Sequence, residues 1–211
     1  MNEDALNFFQ NMANDPNCTQ NSCKMAKNSD FSNIDAEFVL NYASKESSIL
    51  DLGAGTGLLI NKIYDKVSKI VAVEPFVKFT DYIVKSDNIN IINQTINDYD
   101  TDEKFDFVTL FGVMQYFSEQ EAVDIYNKIR KYLKPKGKII IKNQFGTEND
   151  VNVQGYSEEL GKEYFSQYRY LQKEVKILEN TGFKNIEIFD IYPPECNRWQ
   201  NTHFYAIVGG V

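Results

Sequence analysis

The sequence predicts an α/β fold with a doubly wound sheet of seven strands, mostly parallel, whose last strand is antiparallel. Short apolar runs alternate with segments of helical periodicity along most of the 211 residues. The strand segments are apolar throughout, which is typical of a sheet that helices cover on both faces. No helical segment separates the last two strands, so they should form a hairpin in which one strand opposes the others.

Each predicted strand is a short apolar run bounded by polar or glycine-containing segments. The seven runs cover residues 48–52, 69–74, 89–93, 105–111, 138–142, 183–191 and 203–208. The run at 105–111 is the most apolar of them, which places it near the centre of the sheet.

Helical periodicity predicts the segments between the strands. Helices are expected over 5–12, 56–66, 76–85, 119–133 and 158–181, and directly after the N-cap residue Ser32. Apolar residues line one face of the segment 119–133, and the Pro-Lys-Gly sequence at 135–137 ends it. Gly182 is expected to close the segment 158–181 as a C-cap.

Composition and charge exclude several classes of protein. The chain has 30 acidic and 22 basic residues, and a net charge of -8 is unfavourable for binding nucleic acid or an anionic membrane. The first residues lack signal-peptide features, and no apolar run approaches the roughly 18 residues of a membrane span. Three cysteines make no disulfide framework, and their spacing relative to the single histidine matches no zinc site, so no metal is expected. We expect a cytoplasmic protein, and the abundance of Asn, Ile and Lys fits an AT-rich bacterial genome.

A glycine-rich turn follows the first strand, in the sequence Asp51-Leu52-Gly53-Ala54-Gly55-Thr56-Gly57. Its G-x-G-x-G spacing departs from the G-x-G-x-x-G pattern that cradles a dinucleotide pyrophosphate. The Asp51 carboxylate would also repel a pyrophosphate, whereas it suits a ligand with a cationic end, such as the ammonium group of a methionine moiety. Glu74 ends the second strand, where a carboxylate can accept hydrogen bonds from both hydroxyls of a ribose.

These motifs resemble those of class I S-adenosylmethionine-dependent methyltransferases of the small-molecule type. Residues 49–57 are similar to the family's first motif, 71–75 to its second, 105–117 to its fourth-strand segment and 133–141 to its fifth-strand segment. The resemblance covers roughly residues 45–210. It implies a Rossmann-like methyltransferase fold, an enzyme, and S-adenosyl-L-methionine as cofactor with S-adenosyl-L-homocysteine as product.

The resemblance also implies which residues bind the cofactor. They are Asp51, Gly53, Ala54, Gly55 and Gly57 in and before the turn, Glu74 and Pro75 after the second strand, Thr95 and Ile96 near the adenine, and Leu110 and Phe111 near the methionine end. The family often has an aspartate followed by a small residue after its third strand, where this sequence has Thr95-Ile96. Adenine recognition would then depend on the Ile96 backbone N–H and a neighbouring side chain.

The candidate catalytic residues are His203 and Gln115. His203 is the only histidine and could act as a general base or orient the acceptor, although a purely structural role is the alternative. Gln115 could position an acceptor but not deprotonate it. The candidate acceptor-binding residues are Tyr116, Tyr156, Tyr168, Arg169, Arg198 and Trp199. Aromatic rings suit a sugar, a planar ring or a cationic amine, and arginines suit a phosphate or carboxylate.

We expect a single domain over residues 1–211 that has four parts. They are a helical cap or lid at 1–44, a cofactor-binding core at 45–142, an acceptor-binding insertion and helix at 143–182, and a C-terminal hairpin at 183–211. The expected function is methyl transfer to an oxygen or nitrogen of a small metabolite, such as a sugar or phosphorylated intermediate of bacterial surface-polysaccharide or natural-product biosynthesis. We expect a monomer or homodimer.

Two other classes of protein remain open. A non-enzymatic subunit could bind the cofactor with the same fold and the same glycine turn. An NAD-dependent oxidoreductase is disfavoured by Asp51 and by the glycine spacing. Methylation of nucleic-acid bases is disfavoured by the acidic charge, and because no Asn/Asp-Pro-Pro-Tyr sequence follows the fourth strand.

Overall fold

The computed structural model describes residues 3–23, 31–157 and 162–211. The helices in these ranges are α1 (Glu3–Asn14), α2 (Ser32–Leu40), α3 (Ile60–Ile63), α4 (Val77–Thr80), α5 (Glu119–Tyr132) and α6 (Leu171–Asn180). The strands are β1 (Ser48–Leu52), β2 (Lys69–Val73), β3 (Ile89–Ile92), β4 (Phe105–Phe111), β5 (Leu133–Gly146), β6 (Val151–Ser157), β7 (Lys162–Tyr168), β8 (Lys184–Asp190) and β9 (Thr202–Gly210).

Seven strands form one sheet in the order β3-β2-β1-β4-β5-β9-β8. Strands β1 to β5 pair in parallel, whereas β9 pairs antiparallel with both β5 and β8. The predicted fold class, a mostly parallel seven-stranded sheet with an antiparallel last strand, is therefore confirmed. Strand β4 lies at the centre of the order, as its apolar sequence indicated.

Each face of the sheet has its own hydrophobic core, because successive side chains of a strand point to opposite faces. On one face, Leu110, Ile141 and Ile207 pack with the apolar residues of α5 and α6. On the other face, Ile49, Ile140 and neighbouring side chains pack with α2 and α3. Strands β1, β2 and β4 are buried on both sides, which is why their sequences are apolar without alternation, whereas the edge strand β8 is largely exposed.

The seven predicted strands match the seven strands of the main sheet closely, and the largest difference among them is in β5. This strand runs from Leu133 to Gly146, well beyond the predicted segment 138–142. Pairing with β4 ends at Lys142, whereas β9 pairs with β5 continuously from Lys138 to Gly146. At the end of β5, β9 therefore satisfies backbone groups that β4 does not reach.

The predicted helices differ in how well they form. Helix α5 matches its prediction, and Ser118 and Glu121 form a reciprocal capping box at its start. Helices α3 and α4 are single turns, shorter than the predicted segments 56–66 and 76–85. The Asn61 amide bonds the backbone of residues 82 and 84, which holds the chain after α4 out of the helix.

The predicted helix over 158–181 is wrong over residues 162–170. Residues 162–168 form β7, which pairs antiparallel with β6 in a separate two-stranded sheet. Ser166 and Tyr168 are fully buried, whereas Phe165 and Gln167 are partly exposed, which is the two-residue period of a strand. Only Leu171–Asn180 is helical, and residues 158–161 lie outside the described part of the chain.

The described helices include none that is both long and apolar enough to cross a membrane.

Candidate active site

A cavity of about 440 Å³ opens at the carboxyl ends of β1, β2 and β4. In a parallel sheet this edge collects the loops that follow the strands, so residues distant in sequence meet there. One wall contains Asp51, the glycine turn and Glu74, and α1 contributes Leu6 and Phe9 to another. The predicted cofactor motifs therefore face a common space.

The glycine turn depends on backbone conformations that glycine adopts readily. Gly53, Gly55 and Gly57 all have positive φ, at 79°, 53° and 73°. A side chain at Gly53 would also collide with its surroundings, since an added Cβ would lie 2.4 Å from Val113 Cγ1. The three glycines therefore allow this turn to form, and because they carry no side chains a ligand can approach its backbone closely.

Two buried carboxylates flank the turn. Asp51 Oδ1 accepts a hydrogen bond from the Thr109 hydroxyl at 2.6 Å. Glu74 accepts hydrogen bonds from the N–H groups of Gly55, at 2.9 Å, and Phe76, at 3.1 Å. Glu74 thus holds the turn through one oxygen and the start of the following segment through the other. Because each carboxylate oxygen can accept more than one bond, capacity for ligand hydroxyls remains.

Burial makes both carboxyls weaker acids than usual. It raises the pKa of Asp51 to about 6, although the Thr109 hydroxyl and the Lys142 ammonium act in the opposite direction. Burial raises the pKa of Glu74 to about 7. The negative charge of Asp51 also raises this pKa, whereas the two backbone hydrogen bonds lower it. A cationic ligand bound beside Asp51 would favour its ionised form and lower its pKa again.

The other predicted cofactor residues lie on the cavity wall with two exceptions. Ala54, Pro75, Thr95, Ile96 and Phe111 line the cavity. Thr95 donates its hydroxyl hydrogen to Asp98, whose backbone N–H returns a bond to Thr95. The exceptions are Gly57, which shapes the turn, and Leu110, which is fully buried in the core on the α5 side of the sheet.

The structure places His203 away from the cavity. Its neighbour Phe204 lines the cavity, so strand alternation directs His203 to the opposite face of the sheet. There its Nδ1 lies 3.0 Å from Asn197 Oδ1 and its Nε2 lies 2.7 Å from Asp190 Oδ1. Gln115 is also outside the cavity lining, and its amide donates to the carbonyl of Gly112 at 2.9 Å.

The candidate acceptor residues divide into two groups. Tyr116 and Arg198 line the cavity. Tyr168, Arg169 and Trp199 do not: the Trp199 indole lies 3.2 Å from the Tyr168 hydroxyl, and Arg169 pairs with a carboxylate of α6 at 2.5 Å inside the protein. Tyr156 belongs to β6, but its side chain lies outside the described part of the structure.

Sequence reasoning did not single out the polar cluster on the wall formed by α2 and β5. Lys142 Nζ lies 3.2 Å from Asp35 Oδ2, and the Tyr192 hydroxyl donates to Asp35 Oδ1 at 2.5 Å. All three residues line the cavity. A lysine directly after the isoleucines of β5 is a signal that could have identified one member. In the described part of the chain, no three His, Cys, Asp or Glu side chains are grouped as a metal site.

Comparison with known sequences identifies the core of the chain. Residues 49–137 match the family model described as a methyltransferase domain. The histone-arginine methyltransferases CARMER of Drosophila ananassae and Drosophila willistoni are each 29% identical over 124 residues, or 54% of this chain. The match covers 22% of each of those proteins, so the chain spans about a fifth of the length of these curated relatives.

Solved structures with a similar fold cover more of the chain. The DhpI complex with SAM and HEP has a TM-score of 0.73 at 13% identity and covers 98% of this chain and 96% of that chain. The glycopeptide N-methyltransferase MtfA, complexed with S-adenosyl-L-homocysteine, has a TM-score of 0.65 at 13% identity. The alignment covers 85% of this chain and 89% of MtfA. An S-adenosylmethionine-dependent methyltransferase from Mesorhizobium loti has a TM-score of 0.64 at 12% identity. The alignment covers 87% of this chain and 99% of that chain. At these identities the likeness establishes the fold.

The sheet order, the glycine turn between two carboxylates and the matched segment define a class I S-adenosylmethionine-dependent methyltransferase domain. This chain carries that domain over residues 49–137. The residues present fit the cofactor of the class. Asp51 can form an ion pair with the cofactor's ammonium group, and Glu74 can accept hydrogen bonds from its ribose hydroxyls. The backbone of the glycine turn can contact the cofactor closely.

Proposed function

We propose that the protein transfers a methyl group from S-adenosylmethionine to an oxygen or nitrogen of a small molecule. The observation that carries the proposal is one cavity that joins the cofactor motifs to a largely apolar wall, formed by α1, the start of α2 and β9. Phe9, Phe31 and Phe204 belong to that wall. An acceptor bound there would lie beside the cofactor and away from bulk water.

The cofactor supplies a methyl group on a positively charged sulfur, which is already electrophilic. The chain's own residues would then bind, orient and exclude water. The Asp51 carboxylate would hold the ammonium end, and Glu74 would hold the ribose while it keeps its bond to Gly55. Backbone at Phe111 would line the methionine end. Positioning of this kind supplies much of the rate when the leaving group is a neutral sulfide.

The enclosure of the cavity supports a small acceptor rather than a protein segment. The CARMER relatives are named for methylating histone arginines, but this chain matches only a small part of them. Here α1 covers the cavity: the Phe9 ring packs edge-to-face against Tyr116 at 5.1 Å and Phe79 at 6.5 Å. A sugar or phosphorylated metabolite fits this proposal, since aromatic rings and Arg198 line the cavity.

Thermal unfolding with S-adenosyl-L-homocysteine tests the proposed cofactor, with NAD as the parallel ligand. At about 100 times its dissociation constant, a ligand stabilises the folded state by ~2.7 kcal/mol. A domain of this size should then unfold roughly 5–10 °C higher. We expect the shift with S-adenosyl-L-homocysteine and none with NAD. A shift with NAD alone would indicate an oxidoreductase, and no shift with either would exclude a working cofactor site.

A further inference from the structure

The cavity contains a second polar group besides the cofactor carboxylates, formed by Asp35, Lys142 and Tyr192. We call it the acceptor cluster. Asp35 lies in the first turn of α2, Lys142 on β5 and Tyr192 in the segment after β8. The Lys142 and Asp35 side chains are only 12% and 11% exposed. Tyr192 is 6% exposed.

Stability alone does not explain a charged group in this position. Removing an ammonium and a carboxylate from water costs free energy that their mutual attraction often fails to recover. An apolar pair of similar size would attach α2 to the sheet at least as well. Charged pairs of this kind in a cavity are therefore candidates for a role in binding or chemistry.

The acceptor cluster adjoins the end of the cavity where methyl transfer is expected. Lys142 Nζ lies 5.2 Å from the centre of the Phe111 ring, at the end of β4, and 5.2 Å from that of Tyr192. Its charge also acts on Asp51, the proposed partner of the cofactor ammonium. The cluster thus lies beside the methionine end rather than the adenine end.

Aromatic rings hold the Tyr192 phenol in a defined position. Its ring stacks on Phe31, with centroids 4.6 Å apart, and lies 5.2 Å from the Phe204 ring. Its hydroxyl donates to Asp35 at 2.5 Å. A tyrosine hydroxyl that donates to a carboxylate can still accept a proton through its oxygen lone pairs. A proton from a bound molecule can therefore pass to the Tyr192 oxygen while the tyrosine's own proton passes to Asp35.

We propose that the acceptor cluster binds a hydroxyl group of the methyl acceptor, and that Asp35 receives its proton through Tyr192. This inference rests on the proposed function and narrows it to O-methylation. The acceptor would be an alcohol, a phenol or a sugar, with Tyr192 as a catalytic residue in contact with the reacting oxygen.

The proton and electron balance of the step closes within the cavity. The acceptor oxygen forms a bond to the methyl carbon as the carbon–sulfur bond breaks, and that electron pair stays on the sulfur as a neutral sulfide. The acceptor proton moves to the Tyr192 oxygen while the tyrosine's own proton moves to Asp35. The sulfonium charge and the carboxylate charge disappear together, so net charge is unchanged.

Several titratable groups surround Asp35. Lys142 and Tyr192 contact it directly, from β5 and from the segment after β8. Asp51, Cys196 and Arg198 line the same cavity from other elements. Lys142 pairs with Asp35, and its charge also acts on the Asp51 carboxylate.

The test uses Tyr192→Phe and Asp35→Asn in the 211-residue chain, with Tyr205→Phe as matched control. Tyr205 lies on β9 beside His203 and outside the cavity lining, so it loses a hydroxyl without touching the cluster. Radiolabelled S-adenosylmethionine would be supplied with a panel of phenols, alcohols and sugars, and with the matched anilines, amines and amino sugars. S-adenosyl-L-homocysteine affinity is measured for every variant, because the cluster is not expected to hold the cofactor.

We expect hydroxyl compounds to be methylated, with kcat lowered about 100-fold or more by both cluster variants and unchanged by Tyr205→Phe. Cofactor affinity should stay within about twofold. The residual rate of Tyr192→Phe should rise about tenfold per pH unit below the acceptor's own pKa, because the acceptor must then ionise unaided. A cluster that only supports folding would not produce that pH profile.

Three results would overturn the inference. They are methylation of amines without hydroxyl compounds, full activity of Tyr192→Phe on a hydroxyl acceptor, or no turnover of any hydroxyl compound while S-adenosyl-L-homocysteine still binds. Failure of the wild-type protein to bind S-adenosyl-L-homocysteine would instead reject the proposed function, so the two failures are distinguishable.

Discussion

The two ends of the cavity are built in different ways. The cofactor end uses short segments near one another in sequence: a strand, a turn of three glycines, and a second strand that Glu74 directly follows. The acceptor end uses single side chains from distant segments, and the bond from Tyr192 to Asp35 joins residues 157 positions apart. The first end is determined mainly by backbone conformation. The second exists only after α2, β5 and the segment after β8 have packed together.

This difference determines which mutations should affect each end. At the cofactor end, a change in backbone freedom or in a buried carboxylate should alter cofactor affinity. At the acceptor end, loss of one polar atom should alter turnover and leave cofactor affinity alone. Variants that fail to separate affinity from turnover would show that the two ends do not act independently.

The largest effect is expected for Gly53→Val. The residue has φ of 79°, and its Cβ would approach Val113 Cγ1 to 2.4 Å, so the turn must shift. We expect S-adenosyl-L-homocysteine affinity to fall at least ~100-fold, which corresponds to about 2.8 kcal/mol. Isothermal titration calorimetry measures this directly.

Gly155→Ala is the matched control for the strain of a positive φ. Gly155 has φ of 140° in β6, and no atom lies within 4 Å of its added Cβ. The control should lose some stability through backbone strain and keep wild-type cofactor affinity. Normal affinity in Gly53→Val would show that the cofactor does not depend on the shape of this turn.

The same contrast explains what the sequence could and could not predict. Strands β1 and β4 were predicted with their observed bounds, because a buried parallel strand shows itself as a continuous apolar run. The glycine turn was predicted because positive φ demands a particular residue type. The 162–168 segment was predicted as helix since its aromatic residues fit both periods, and only pairing with β6 decides between them.

The acceptor cluster had weaker signals in the sequence. Asp35 lies between apolar residues of a short helix and has the appearance of an exposed helical position. Lys142 ends an apolar strand, where a charged residue is ordinarily solvated. His203 was predicted as a candidate base because it is the only histidine, but residue type cannot tell which face of β9 it occupies. That information comes from the register with β5.

An intermediate effect, dependent on pH, is expected for Glu74→Gln. Burial raises the Glu74 pKa to about 7, and under the proposed function the ionised form is the one that would accept two ribose hydroxyls. Wild-type affinity for S-adenosyl-L-homocysteine should therefore fall by up to about tenfold per pH unit as pH drops below 7. The variant should bind roughly 1–3 kcal/mol more weakly at pH 8 and lose that dependence between pH 7 and pH 6. Titrations at pH 8, 7 and 6 measure both effects.

The Glu74 carboxyl should make the folded state less stable as pH rises, whereas it makes cofactor binding stronger. Its pKa rises from an ordinary 4.5 to about 7 on folding, so the stabilisation is complete below pH 4.5 and is lost as pH rises through 7. The size of this loss is about 3 kcal/mol. We expect the unfolding temperature without ligand to fall less between pH 5 and pH 8 in Glu74→Gln than in wild type. An identical fall in both proteins would show that a group other than Glu74 causes the loss of stability.

The smallest effect on turnover is expected for His203→Ala, although the residue was the predicted base. Its ring contacts Asn197 and Asp190 on the face of the sheet opposite Phe204, and it does not line the cavity. Removing these contacts should lower the free energy of unfolding by about 1–2 kcal/mol, because a partly buried polar network is lost. Turnover at saturating acceptor should stay within about twofold of wild type, in contrast to the hundredfold loss expected for Tyr192→Phe. A large loss of turnover in His203→Ala with normal cofactor affinity would assign the base to the other face of β9 and remove the acceptor cluster from the mechanism.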